Sequence, residues 1–149
     1  TCQWSASLKR MNMMGVKNDV EFQVFFGSVF AGQMIGYEGE SFYNFMRQVV
    51  QVAGDVWCFN TYNDVAMNVY NYYDIAHYYY EVGDLMIDTM GGKPCKYYNF
   101  GILLNEDNVD AEIASRRKNL EQWREYYRAN GTLPFQGMDD ESLLPKIYG

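Results

Sequence analysis

The chain has 149 residues, 48% of them hydrophobic and 21% charged, and a formal net charge of -7. That is the length of one ordinary domain, and its apolar content excludes an intrinsically disordered chain. The acidic balance excludes a general nucleic-acid binder, and no apolar run reaches the length of a transmembrane helix.

Residues 1–17 carry no clear hydrophobic period, although Met11, Met13 and Met14 gather ahead of Gly15. Asn18-Asp19 offers a helix N-cap, after which Phe22, Phe25, Phe26, Val29, Phe30 and Met34 recur at helical spacing. The spacing predicts a first helix that contains Gly27 and Gly32 and stops at Gly36. The uncharged stretch between Glu21 and Glu38 is too short and too polar to span a bilayer, and it lacks the basic face of an interfacial helix.

A second helix is expected from Ser41, with Phe42, Phe45, Met46, Val49, Val50, Ala53 and Trp57 as its apolar stripe. Thr61-Tyr62-Asn63-Asp64 reads as a capping box with Asp in place of Glu. A third, long helix then runs to about Met90, with Val65, Val69, Tyr72, Tyr73, Ala76, Tyr79, Tyr80, Leu85 and Met86 facing inward. Tyr70 and Tyr78 fall outside that stripe. A strand over residues 68–80 suits the composition but lacks strict alternation. Gly91-Gly92-Lys93-Pro94 breaks the chain, and Tyr97 to Leu104 forms a short apolar helix or packed loop.

The last helix is expected over residues 109–129, with Ile113, Leu120, Trp123 and Tyr127 on a narrow inward stripe and Arg116, Arg117 and Lys118 among its charged outer residues. Residues 131–149 hold Pro134, Gly137 and Pro145 together with Phe135, Leu143, Leu144, Ile147 and Tyr148. Such a segment is too apolar for a solvated linker and is expected to lie extended along its own surface or a neighbour's. The predicted fold is all-α: a single helical domain over residues 1–130, as an irregular four- to five-helix bundle, with an extended C-terminal arm over residues 131–149.

Catalytic chemistry is poorly supplied. His77 is the lone histidine, so a His-dependent triad or a multi-imidazole metal site has little to build on. Glu81, Asp84 and Asp88 share one helix face and read as a solvated surface. The stretch from Asn105 to Asp110 lacks the Gly and terminal Glu of an EF-hand. Gly91-Gly92-Lys93 lacks the Ser or Thr and the earlier Gly of a P-loop. No enzyme activity, cofactor or metal is expected.

Cys2, Cys58 and Cys95 include no CxxC pair; Cys58 to Cys95 is the more plausible disulfide, against three reduced buried thiols. Asn130-Gly131-Thr132 is a formal glycosylation sequon. A chain starting at Thr1 fits removal of an initiator Met or of a targeting peptide. These features tilt the expected location toward secretion or an organelle lumen, and an organelle complex, for example mitochondrial, fits as well.

Aromatic residues reach 17%, with 14 Tyr, 9 Phe, 3 Trp and 9 Met beside them, more ring surface than one small core easily hides. Between Asn18 and Gly92 the acids far outnumber the single base, Arg47; the bases gather on either side. The expected function is a non-catalytic structural subunit of a larger complex or filament, its partners being other protein subunits. Its contacts would be aromatic helix faces and the tail, with Tyr70, Tyr78, Phe135, Leu143, Leu144, Ile147 and Tyr148 as interface candidates. The alternative is a helical carrier holding an apolar ligand or lipid among Phe22–Phe30 and Phe42–Trp57.

Overall fold

Good helix formers at the amino end (Leu8, Lys9, Arg10 and three methionines) outweigh the missing period, and Gln3–Asn18 is a helix, α1. The computed structural model describes residues 3–97, 99–140 and 142. The inward stripe of α1 is Trp4, Leu8, Asn12 and Gly15, of which Gly15 alone is fully buried. An Asn and a Gly in that stripe hide the period from a hydrophobicity count. The helix ends in a Schellman turn: Asp19 takes a left-handed φ of 54° and the Val20 N–H donates to the Gly15 carbonyl at 2.9 Å. Gly15 is needed there, because a Cβ would sit 2.5 Å from the Val20 carbonyl oxygen.

The expected first helix is therefore displaced. Residues Val24–Phe26 form a strand, β1, and only Ala31–Tyr37 is helical, as α2. Short aromatic and β-branched runs fit strand and helix alike, and pairing decides between them. β1 runs parallel to β2 (Val56–Cys58), which pairs antiparallel with β3 (Ile102–Leu104). The all-α expectation is thus overturned: among the described residues five helices pack with a three-stranded mixed sheet of order β1-β2-β3.

The second helix is present as α3, Glu40–Ala53, with Tyr43, Met46, Val49 and Val50 buried. Gly54, at φ 82°, ends it and sends Trp57 into β2 instead. The long third helix does not form. Between β2 and α4 (Tyr80–Met90) lie turns and one 3-10 turn, Val69–Asn71. The reason is a series of side chains that capture backbone N–H groups. Asn63 Oδ1 accepts from Val65 and Ala66, Asn68 Oδ1 from Tyr70, and Asp74 Oδ1 from Ala76 and His77. Asn63 is fully buried and its amide also donates to the Phe59 and Thr61 carbonyls and the Thr61 hydroxyl. The last helix, α5, spans Val109–Asn130 and is capped by Gly131 at φ 70°, whose N–H donates to the Tyr127 carbonyl.

Among the described residues the core divides into three apolar clusters. One fills the space between α3, α5 and the sheet's inner residues, including Val56, Cys58, Leu104 and Ile113. A second joins Phe59, Val65, Val82, Met86 and Phe100 beneath α4. The third is built on Phe30, Met34, Ala66 and Tyr72 and is completed by Leu133, Phe135 and Met138. Over its first residues the C-terminal arm lies against its own domain, one of the two placements expected, and there it is part of the core. The Gln136 N–H donates to the Met67 carbonyl, and Val69 returns a bond to the Gln136 carbonyl. Phe135 stands edge-on to both Phe30 and Trp123.

Candidate functional site

The outer face of α1 has a composition unlike the rest of the molecule. Met13, Met14 and Val16 are 72%, 61% and 87% exposed, and Lys9, Arg10 and Lys17 surround them. No acidic residue lies on this helix. Val20, Phe22 and Phe25 continue the apolar surface beyond its end.

A second apolar face has the opposite charge. Spacing along α4 puts Tyr80, Asp84 and Ile87 on its outer side, with Glu81 beside them, while Val82 and Met86 point inward. Tyr80 and Ile87 are 71% and 65% exposed. Tyr70 and Tyr73 extend this face, and the Tyr73 ring lies 3.8 Å from that of Tyr79, centroid to centroid. Asp88 closes the helix by accepting from Lys93 at 2.6 Å. Glu81, Asp84 and Asp88 are a surface feature, as their spacing suggests.

The strongest electrostatic feature is internal. Arg116 lies on the inward stripe of α5 with Val109, Ile113 and Leu120, and is 1% exposed. Its guanidinium donates to Glu38 Oε1 at 2.5 Å and to the Asn60 carbonyl at 2.8 Å, with Cys58 Sγ at 3.7 Å and Glu112 at 3.8 Å. The Phe42 ring covers it at 5.3 Å. Glu38 Oε2 accepts from the Tyr43 hydroxyl, and the Cys58 thiol donates to Asn60 Oδ1. Burial pushes the Glu38 carboxyl upward against the opposing pull of Arg116. Burial also pushes the Cys58 thiol up to about 12 and the Tyr37 and Tyr43 hydroxyls to about 12. A protonated thiol sealed in the core is no nucleophile. This centre holds the elements together. A signal for it stands in the sequence: a charged residue at an inward position of an amphipathic helix.

The other anticipated residues are dispersed. Cys58 and Cys95 are both free thiols, which corrects the proposed bridge; they belong to different clusters, Cys58 against the inner sheet face and Cys95 at the edge of the group beneath α4. His77 is an exposed loop residue bound to the Asp74 carboxylate, not the middle of a helix. Tyr70 is exposed and its hydroxyl donates to Asp140. Tyr78 packs against two of the apolar clusters, so it joins them instead of serving an outer surface, and Phe135 is core. Leu143, Leu144, Ile147 and Tyr148, like Cys2, lie outside the described residues. Asn130 is the exposed last residue of α5, its amide donating to the Tyr126 carbonyl. The rings of the expected carrier site pack on one another, Phe26 edge-on to Phe42 and Phe45.

Among the described residues no group of three or more His, Cys, Asp and Glu side chains is placed to hold a metal ion. Among them, too, no helix is long and apolar enough to cross a membrane. No protein family, curated protein or solved structure matches the chain.

Proposed function

We propose that the chain is a non-catalytic assembly subunit whose copies join head to tail, the basic methionine face of α1 in one copy docking on the acidic tyrosine face of α4 in the next. The observation that carries this reading is the exposure of Met13, Met14 and Val16 on a helix with a single fully buried residue. Apolar side chains gathered in this way mark a surface that another surface covers. The occupant follows from complementarity. The α1 face offers Lys9, Arg10, Lys17 and thioethers; the α4 face offers Glu81, Asp84 and aromatic rings, which thioethers contact favourably. Two different patches meeting in a heterologous contact close into a ring or run on as a filament.

The test is a charge exchange read by sedimentation velocity and native mass spectrometry. The parent chain should show concentration-dependent species larger than a monomer, weakening as salt rises. Lys9→Glu with Arg10→Glu should give monomers, as should Glu81→Lys with Asp84→Lys. Mixing the two variants in equal amounts should restore assembly, because each then meets a complementary face. A parent chain that stays monomeric at all concentrations sinks the reading.

A further inference from the structure

A cavity of about 490 Å³ opens between α2, the Ile75 loop, α5 and the segment carrying Leu133 and Met138. That volume falls within the range of small-molecule sites, about 300–1,000 Å³. Its walls are apolar: Phe30, Ile35, Ile75, Leu133 and Met138. Gly32 and Gly36 keep the α2 side low, and a Cβ on Gly36 meets nothing within 4 Å.

Two arginines of α5 give the cavity its charge. Arg124 and Arg128 both line the cavity from successive turns of α5. Arg128 is engaged by Glu121 at 3.0 Å. Arg124 donates to the Ile35 carbonyl at 3.3 Å and has no carboxylate within ion-pair distance among the described residues. Gln33 also lines the cavity, and its side-chain oxygen is buried without a hydrogen-bond partner.

We propose that this cavity binds a small apolar carboxylic acid, its chain among Phe30, Ile75, Leu133 and Met138 and its carboxylate on Arg124. An apolar chamber supplies the affinity for the body of such a molecule. A guanidinium with no carboxylate in ion-pair contact among the described residues supplies the preference for a carboxylate, which it holds through paired N–H donors. The site is distinct from both assembly faces, so it stands whether or not copies of the chain associate.

Decanoate and decan-1-ol, titrated separately into the full chain by calorimetry below their aggregation limits, separate the two parts of the inference. Decanoate should saturate one site per chain, and the alcohol should bind about tenfold more weakly. Arg124→Gln should erase that preference, and Arg124→Lys should keep part of it. Gly36→Phe, which puts a ring into open space, should abolish binding of both while circular dichroism and the melting midpoint stay those of the parent. Arg124 is exposed, so its variants keep the test open should Gly36→Phe fail to fold. Absence of saturable decanoate binding, equal affinity for the alcohol, a preference unchanged in Arg124→Gln, or full binding retained in a folded Gly36→Phe overturns the proposal.

Discussion

Arg116 is 1% exposed and Glu38 beside it is equally shut from solvent, so the charge of each depends on the other. Removing one member strands its partner in a medium of low polarity, which costs about 3–5 kcal/mol, whereas removing both leaves only the less deeply buried Glu112 without its cation. Arg116→Met should therefore lower the stability measured by urea unfolding by about that amount. The double variant Arg116→Met with Glu38→Gln should recover at least about half of the loss. A double variant no more stable than Arg116→Met would mean that the Asn60 carbonyl and the ring over the guanidinium matter more than the charge pair. At this scale the sequence was partly readable. Arg116 stands in the row Val109, Ile113, Arg116, Leu120, whereas its neighbours Arg117 and Lys118 make it resemble one of a surface group. Nothing local marked Glu38 as its partner, since the pairing joins residues far apart in the chain.

Among the elements, α3 and α5 were legible because each has a continuous inward stripe and a glycine at its end. The stretch from Asn63 to Tyr79 was not, because its aromatic spacing resembles a helical stripe while Asn63, Asn68 and Asp74 direct the backbone into turns. Side-chain carbonyls that take up N–H groups every few residues remove the bonds a helix would use. Strands of three residues are likewise too short to show alternation, and their partners alone define them. The C-terminal segment gives the sharpest test at this level. Leu133, Phe135 and Met138 complete a core cluster, and burial of each such side chain contributes roughly 1.5–3 kcal/mol. Together that is comparable with the whole stability of a typical domain, about 5–15 kcal/mol. A chain ending at Asn130 should lose its cooperative thermal transition in circular dichroism, while one ending at Ser142 should keep it. A cooperative transition in the shorter chain would show that the segment merely rests on a core that stands without it.

The whole molecule confines several acidic protons, and this sets its response to alkali. In an unfolded chain the Cys58 thiol ionises near 9.0 and the tyrosine hydroxyls near 10.0; burial in the fold pushes Cys58, Tyr37 and Tyr43 to about 12. The folded state then holds protons that the unfolded state has released. Stability is at its full value below about pH 9 and falls as pH rises from there toward 12, by about 1.4 kcal/mol per pH unit from Cys58 alone. Urea midpoints measured at intervals from pH 8 to 11 should be level at first and then decline, and Cys58→Ala should delay the onset of the decline. A level profile to pH 11 contradicts the burial of these groups. Composition told of excess ring surface but not of where it lies: the exposed methionines sit on α1, which carries no readable period, and exposed tyrosines gather around α4, with other exposed rings spread over Phe22, Phe25, Tyr37, Phe45, Tyr126 and Tyr127. The sheet has a further effect on how the molecule comes into being. β2 sits between a strand that precedes it by two helices and one that follows it by a long irregular stretch and α4. Such distant pairing slows closure relative to a helical bundle of equal size. During synthesis the nascent chain reaches Cys58 with β1 already available, but the far edge of β2 stays open on the ribosome until Leu104 has emerged, and Arg116, which neutralises Glu38, arrives later still.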